Sequence, residues 1–147
     1  MEGAETDPIH TLIFSDVHLT TAEPDDPERP LWKRFKRADL FFDDKIERML
    51  EHFTSQADGR LELILNGDVF DFDGVTDQPD PAVGLRANWL ERQCGLGATE
   101  PKSAWKMSKI LDHHPIIVRA LRRWLAQGHR LVFICLLYTS PSPRDRG

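Results

Sequence analysis

Three short apolar runs, each bounded by polar turn residues, constrain this chain more than any other feature. They lie at 9–14, 61–65 and 131–134; the first runs into Ser15, Asp16, Val17 and His18, the second into Asn66, Gly67 and Asp68. Apolar runs of this length suit strands covered on both faces. Between them the apolar residues recur at helical spacing instead. Leu40, Phe41, Ile46, Met49, Leu50 and Phe53 form one stripe, with Asp43, Asp44, Glu47, Arg48 and Glu51 on the other side. Ala57, Asp58 and Gly59 end that helix. A second helical pattern covers 103–111 and a third 115–127. In the third, Pro115 suits the first turn, Ile117, Leu121, Trp124 and Leu125 make the stripe, and Gly128 fits a C-terminal cap. Strand, helix, strand, helix, strand predicts an α/β fold with parallel strands joined by right-handed crossovers. The 147 residues suffice for one domain with a sizeable core.

Two connections are irregular. Residues 20–30, rich in Pro and Asp, read as an exposed loop, and 73–101 as a long loop holding a short helix around 83–92. Nineteen basic against 24 acidic residues leave a net charge of −5, so no overall positive field would attract a nucleic acid. No apolar run is long enough to span a bilayer, and the acidic, polar first eight residues are the opposite of a secretory signal. Cys94 and Cys135 are too few for a disulfide framework. The expectation is a soluble, cytoplasmic protein. Its one basic cluster, Trp32, Lys33, Arg34, Phe35, Lys36 and Arg37, reads first as a solvated amphipathic approach to the first helix. The alternative is weak contact with an anionic substrate or a membrane surface through Trp32 and Phe35, which would put the chain peripherally on the inner membrane.

Residues able to do chemistry gather after the first two strands. In an extended segment Asp16 and His18 point the same way, from the end of a parallel strand where open α/β sheets place their ligands. A carboxylate and an imidazole make half a site for Mn²⁺, Fe or Zn²⁺. Gly67 permits a sharp turn that sets Asp68 at the tip of the second strand. If the strands are neighbours, Asp68 meets Asp16 and His18 and can bridge two ions about 3.5–4 Å apart. Asp71 is expected to orient a ligand or brace the loop, with Asn66 also supporting the ligands from behind.

Together, Ser-Asp-Val-His-Leu at 15–19 and Gly-Asp-Val-Phe-Asp-Phe at 67–72 resemble the first two motifs of the calcineurin-like metallophosphoesterase superfamily, Asp-x-His and Gly-Asp-x-x-Asp. The wording is similar to bacterial proteins related to UDP-2,3-diacylglucosamine hydrolases. The resemblance implies that Asp16 and His18 bind one metal and that Asp68 bridges two, Mn²⁺ foremost. It also implies hydrolysis of a phosphoester or pyrophosphate in a phosphorylated small-molecule or lipid-linked substrate. The implied fold is a sandwich of two facing sheets flanked by helices, of which residues 1–134 form the N-terminal part, with the second sheet largely missing.

The family's third motif, Gly-Asn-His-Asp/Glu, should follow the strand at 131–134, and its His commonly protonates the leaving group. Here Cys135 and the Pro/Ser-rich residues up to Gly147 follow instead, and the two later His motifs are absent. Residues 135–145 resemble the translation of a transposase adapter used in preparing sequencing libraries, so 135–147 are expected to be a non-native tail. With only Asp16, His18 and Asp68 present, the expectation is weak binding of one ion and no catalysis.

Other readings compete. Asp71-Phe72-Asp73-Gly74-Val75 resembles the first motif of haloacid-dehalogenase-like phosphatases, with Asp71 as nucleophile and Asp73 as acid/base. That would need an apolar strand running straight into Asp71, and Asn66-Gly67-Asp68 interrupts it. A non-catalytic domain that keeps the fold and binds another protein is the remaining alternative. His113 and His114 precede Pro115 and read as turn or capping residues; His10, His52 and His129 read as structural. Trp89, Trp105, Trp124 and Met107 read as packing residues. There is no phosphate loop and no serine-hydrolase elbow.

Overall fold

The computed structural model describes residues 10–23, 28, 38 and 41–134. The basic cluster at 32–37, Leu40, most of the loop beyond Glu23 and the tail from Cys135 lie outside the described residues. Three parallel strands, β1 (His10–Ser15), β2 (Leu61–Asn66) and β3 (Arg130–Ile134), form a sheet in the order β1-β2-β3. Among the described residues four α-helices accompany them: α1 (Asp43–Gln56), α2 (Trp89–Cys94), α3 (Glu100–His113) and α4 (Pro115–Ala126). No helix among the described residues is long and apolar enough to cross a membrane.

Alternation along β2 decides where the core sits. Leu61, Leu63 and Leu65 are buried, and the rows that pair with them, Leu12–Leu63–Leu131 and Phe14–Leu65–Phe133, point the same way. Leu50 of α1 and Ile117, Ala120 and Trp124 of α4 close over this face, and Val69, Phe72, Val75 and Ile110 of α3 extend the cluster. Across the top, α1 and α4 are linked by Arg119–Glu47 (3.2 Å), Arg123–Glu47 (3.5 Å) and Arg123–Glu51. These exposed pairs align the helices more than they stabilise them.

The opposite face corrects one expectation. Strands covered on both sides were predicted, yet Ile13 is 64% exposed and Ile134 50%. Its rows are Thr11–Glu62–Arg130, Ile13–Ile64–Val132 and Ser15–Asn66–Ile134. The first is polar, with Thr11 Oγ1 donating to Glu62 (3.4 Å) and Arg130 paired to the same carboxylate (3.2 Å). The second is an apolar band that the described residues leave open.

Local chemistry shifts some boundaries. α3 begins at Glu100 rather than Ser103, because Thr99 and Pro101 supply a helix start upstream of the apolar stripe. α4 starts at Pro115 and closes as predicted, Gly128 taking φ +85° and donating to Leu125 O (3.0 Å). Trp124 is buried, its Nε1 donating to Arg130 O (2.8 Å). His129 packs against Trp124, ring centroids 4.6 Å apart, and its Nδ1 accepts from Leu61 N (3.2 Å). Burial, with Arg60 nearby, holds the His129 pKa below its usual range, so the ring is neutral there. Trp89, expected to pack, is 77% exposed.

The long connection 73–101 is ordered by polar knots instead of apolar periodicity. A 3₁₀ turn at Pro81–Val83 is capped by Asp80, and α2 opens on a capping box in which Asn88 and Glu91 bond each other's backbone N–H. Glu91 also accepts from Lys102 Nζ (2.5 Å) and Gly97 N (2.8 Å). The Lys102 bond, then those from Asn88 and Gly97, pull the Glu91 pKa from 4.5 down to about 2. The carboxylate is lower in pKa when folded, so its stabilising effect is full above about pH 4.5 and is lost as pH falls towards 2. An NMR titration of the Glu91 carboxyl carbon is expected to give a midpoint close to 2; a midpoint at 4.5 would show that these bonds do not persist.

Candidate metal centre

The carboxyl ends of β1 and β2 meet at one point. Register pairs Ser15 with Asn66, so the residues after each strand emerge side by side. Asp16 N donates to Asn66 O (3.1 Å), His18 N to Asp68 O (2.9 Å) and Leu19 N to Val69 O (2.8 Å), so the parallel ladder continues past both strand ends. Asp71 N then donates back to Leu19 O (2.8 Å).

The side chains of Asp16, His18 and Asp68 converge as predicted, with one ligand atom from each lying within 4.8 Å of the others. All three are solvent-exposed. The route to that convergence differs from the expectation. β1 stops at Ser15, and Asp16 (φ +52°) and His18 (φ +50°) are both left-handed, where an extended segment was expected. They are the two non-glycine residues with positive φ among the described residues. The two-residue repeat survives because both ligands take the same turn, with Val17 packed inward between them. Such conformations cost about 1–3 kcal/mol each and gather at functional sites.

Gly67 completes the cradle. It has φ +75°, and a Cβ there would lie 2.6 Å from Asp16 Oδ1. Only glycine leaves that carboxylate its place, where it also meets Asp68 N at 3.4 Å. Two carboxylates and one imidazole around a water-accessible point are oxygen and nitrogen donors suited to Mn²⁺, Fe or Zn²⁺. The residues present therefore fit a divalent ion.

The supporting residues act differently from one another. Asn66 contributes its backbone carbonyl, as above. Asp71 is half-buried, and its Oδ1 accepts from Gly74 N (2.8 Å), closing the turn after the site. A Cβ on Gly74 would collide with Thr20 Oγ1 and lie 2.6 Å from Asp71 Oδ2, so this turn also depends on glycine. Asp71 and Asp73 do not join the ligand cluster among the described residues. His113 and His114 do lie at the turn between α3 and α4, as read from the sequence, and their side chains also reach the loop that carries Asp16 and His18, which the sequence did not show.

The chain is thus an α/β protein with a parallel three-stranded sheet and a candidate cation cluster where two neighbouring strands end. No family model, curated protein or solved structure compared with the chain matches it.

Proposed function

We propose that this chain carries the metal-binding corner of a metallophosphoesterase-type hydrolase acting on a phosphoester or pyrophosphate. The observation that supports this is the meeting of Asp16, His18 and Asp68 at the ends of adjacent parallel strands. In this reading Asp16, His18 and Asp68 would together hold one divalent ion, and Asp68 would serve a second only where further ligands are supplied. His18 ligates as the neutral imidazole. A bound divalent ion supplies polarisation of the phosphoryl oxygen and a more acidic water. The exposure of all three side chains lets a phosphorylated small molecule or a lipid-linked headgroup approach. The open band Ile13–Ile64–Val132 supports a two-sheet sandwich, since an apolar row on a sheet calls for a second layer.

Three ligands hold one ion better than two, and the proposed activity of the 147-residue chain is therefore single-ion binding without turnover. Titration with Mn²⁺ followed by electron paramagnetic resonance is expected to show one bound ion per chain. Failure to bind Mn²⁺ at millimolar concentration would overturn the reading. The aspartyl-nucleophile alternative has less support: β2 ends at Asn66, well before Asp71, and the Asp71 carboxylate is engaged in its own turn.

A further inference from the structure

We infer that His113 and His114, side by side where α3 meets α4, form a clamp that holds the loop carrying Asp16 and His18 in its ligating shape. The consequence for metal affinity rests on the reading above; the grip on the loop does not. His114 occupies the N-cap position of α4, yet its side chain makes no capping hydrogen bond. Its ring turns away from the helix. Nε2 donates to Thr20 O (2.8 Å), while Nδ1 lies 2.9 and 3.1 Å from the two carboxylate oxygens of Asp43. The carbonyl can only accept, so Nε2 carries a proton, and Nδ1 and Asp43 share another. The Phe41 ring stacks on the imidazole at 4.6 Å. His114 is 2% exposed, and Asp43, Thr20 and Thr21 around it are buried. Both ring nitrogens of His114 are engaged in this dry setting, which narrows the ring's geometry, while the buried Thr20 Oγ1 beside it has no hydrogen-bond partner among the described residues.

His113 adds a second grip. Its Nδ1 accepts from Ala22 N at 2.9 Å. Successive helical residues diverge, but the helical path is interrupted at His114, and there two adjacent imidazoles reach one loop at Thr20 and Ala22. The end of β2 and the segment after it hold the same loop from the other side, through the bonds to Asn66, Asp68 and Val69. Two left-handed residues persist only where the surroundings over-determine them, and this loop is held from both flanks. The clamp joins α1, the α3–α4 joint and the metal loop, so His113 and His114 are positioning residues.

The test uses the full chain, with amide hydrogen exchange of residues 16–22 and Mn²⁺ affinity read together. In His113→Ala, exchange of His18, Leu19 and Ala22 is expected to rise at least about tenfold while Leu63 and Leu65 of β2 keep their protection. The Mn²⁺ dissociation constant is expected to rise about tenfold, as for other groups that orient ligands. Two further variants separate clamping from general packing, since both lose the ring against Phe41. His114→Gln keeps a donor for Thr20 O and should retain loop protection. His114→Asn keeps reach to Asp43 alone and should lose it, at a similar melting temperature. Wild-type loop exchange in both His113→Ala and His114→Asn would overturn the clamp. So would raised exchange with unchanged Mn²⁺ affinity, for the positioning role. A wild-type chain that binds no Mn²⁺ would sink the metal reading instead, and loop exchange would still decide the clamp.

Discussion

Asp68→Asn is expected to weaken Mn²⁺ binding by more than about a hundredfold, beyond the loss usual for groups that only orient a ligand. The fold should barely notice. Asp68 is exposed, and its recorded bonds run through its backbone, to His18 N and to Asp16 Oδ1. Its carboxylate instead lies close to that of Asp16, within 4.8 Å. Two like charges at that separation repel by on the order of 1 kcal/mol in water. Without metal, the variant should therefore melt at the same temperature as the parent or slightly above it. With saturating Mn²⁺ the order should reverse. An ion at a hundred times its dissociation constant raises stability by about 2.7 kcal/mol, and the variant forgoes that gain. Melting curves with and without Mn²⁺ check both signs at once. A Mn²⁺-dependent rise retained in Asp68→Asn would remove Asp68 from the site.

Leu63→Ala is expected to cost about 2–5 kcal/mol, a large part of the 5–15 kcal/mol that holds a typical domain together. Leu63 is 1% exposed, sits in the central strand between Leu12 and Leu131, and faces the helices. Ile13→Ala, one register row along but on the open face at 64% exposure, should cost only a few tenths of a kcal/mol. Urea unfolding of the two variants measures the difference directly. Equal losses would mean that the band around Ile13 is covered as tightly as the core.

The parts of the fold legible in the sequence are those governed by local pattern. Leu61, Leu63 and Leu65 announced the central strand, the Ile117–Leu125 stripe announced α4, and Pro115 and Gly128 marked its ends. The meeting of Asp16, His18 and Asp68 followed from strand adjacency, which the strand–helix alternation implied. What stayed hidden depends on distant partners. His113 and His114 bond residues 91 and 94 positions away, and no local rule links them to Ala22 or Thr20. The exposure of Ile13 is likewise set by which layers cover the sheet, a fact that an apolar run alone does not carry. α2 was misplaced because Asn88 and Glu91 define it through capping, with little apolar period to see. Left-handed Asp16 and His18 were unforeseen because the residues after the apolar run were read as extended, whereas β1 ends at Ser15 and the chain turns at once.

The strand order has a kinetic consequence. β2 lies between β1 and β3, and its neighbours in space are 51 and 68 residues away in the chain. No hairpin can nucleate this sheet, so loop-closure entropy must be met before any strand pair contributes. Refolding should be slow for a chain this short, in milliseconds to seconds, and the apolar edges of β2 stay open to other chains while it proceeds.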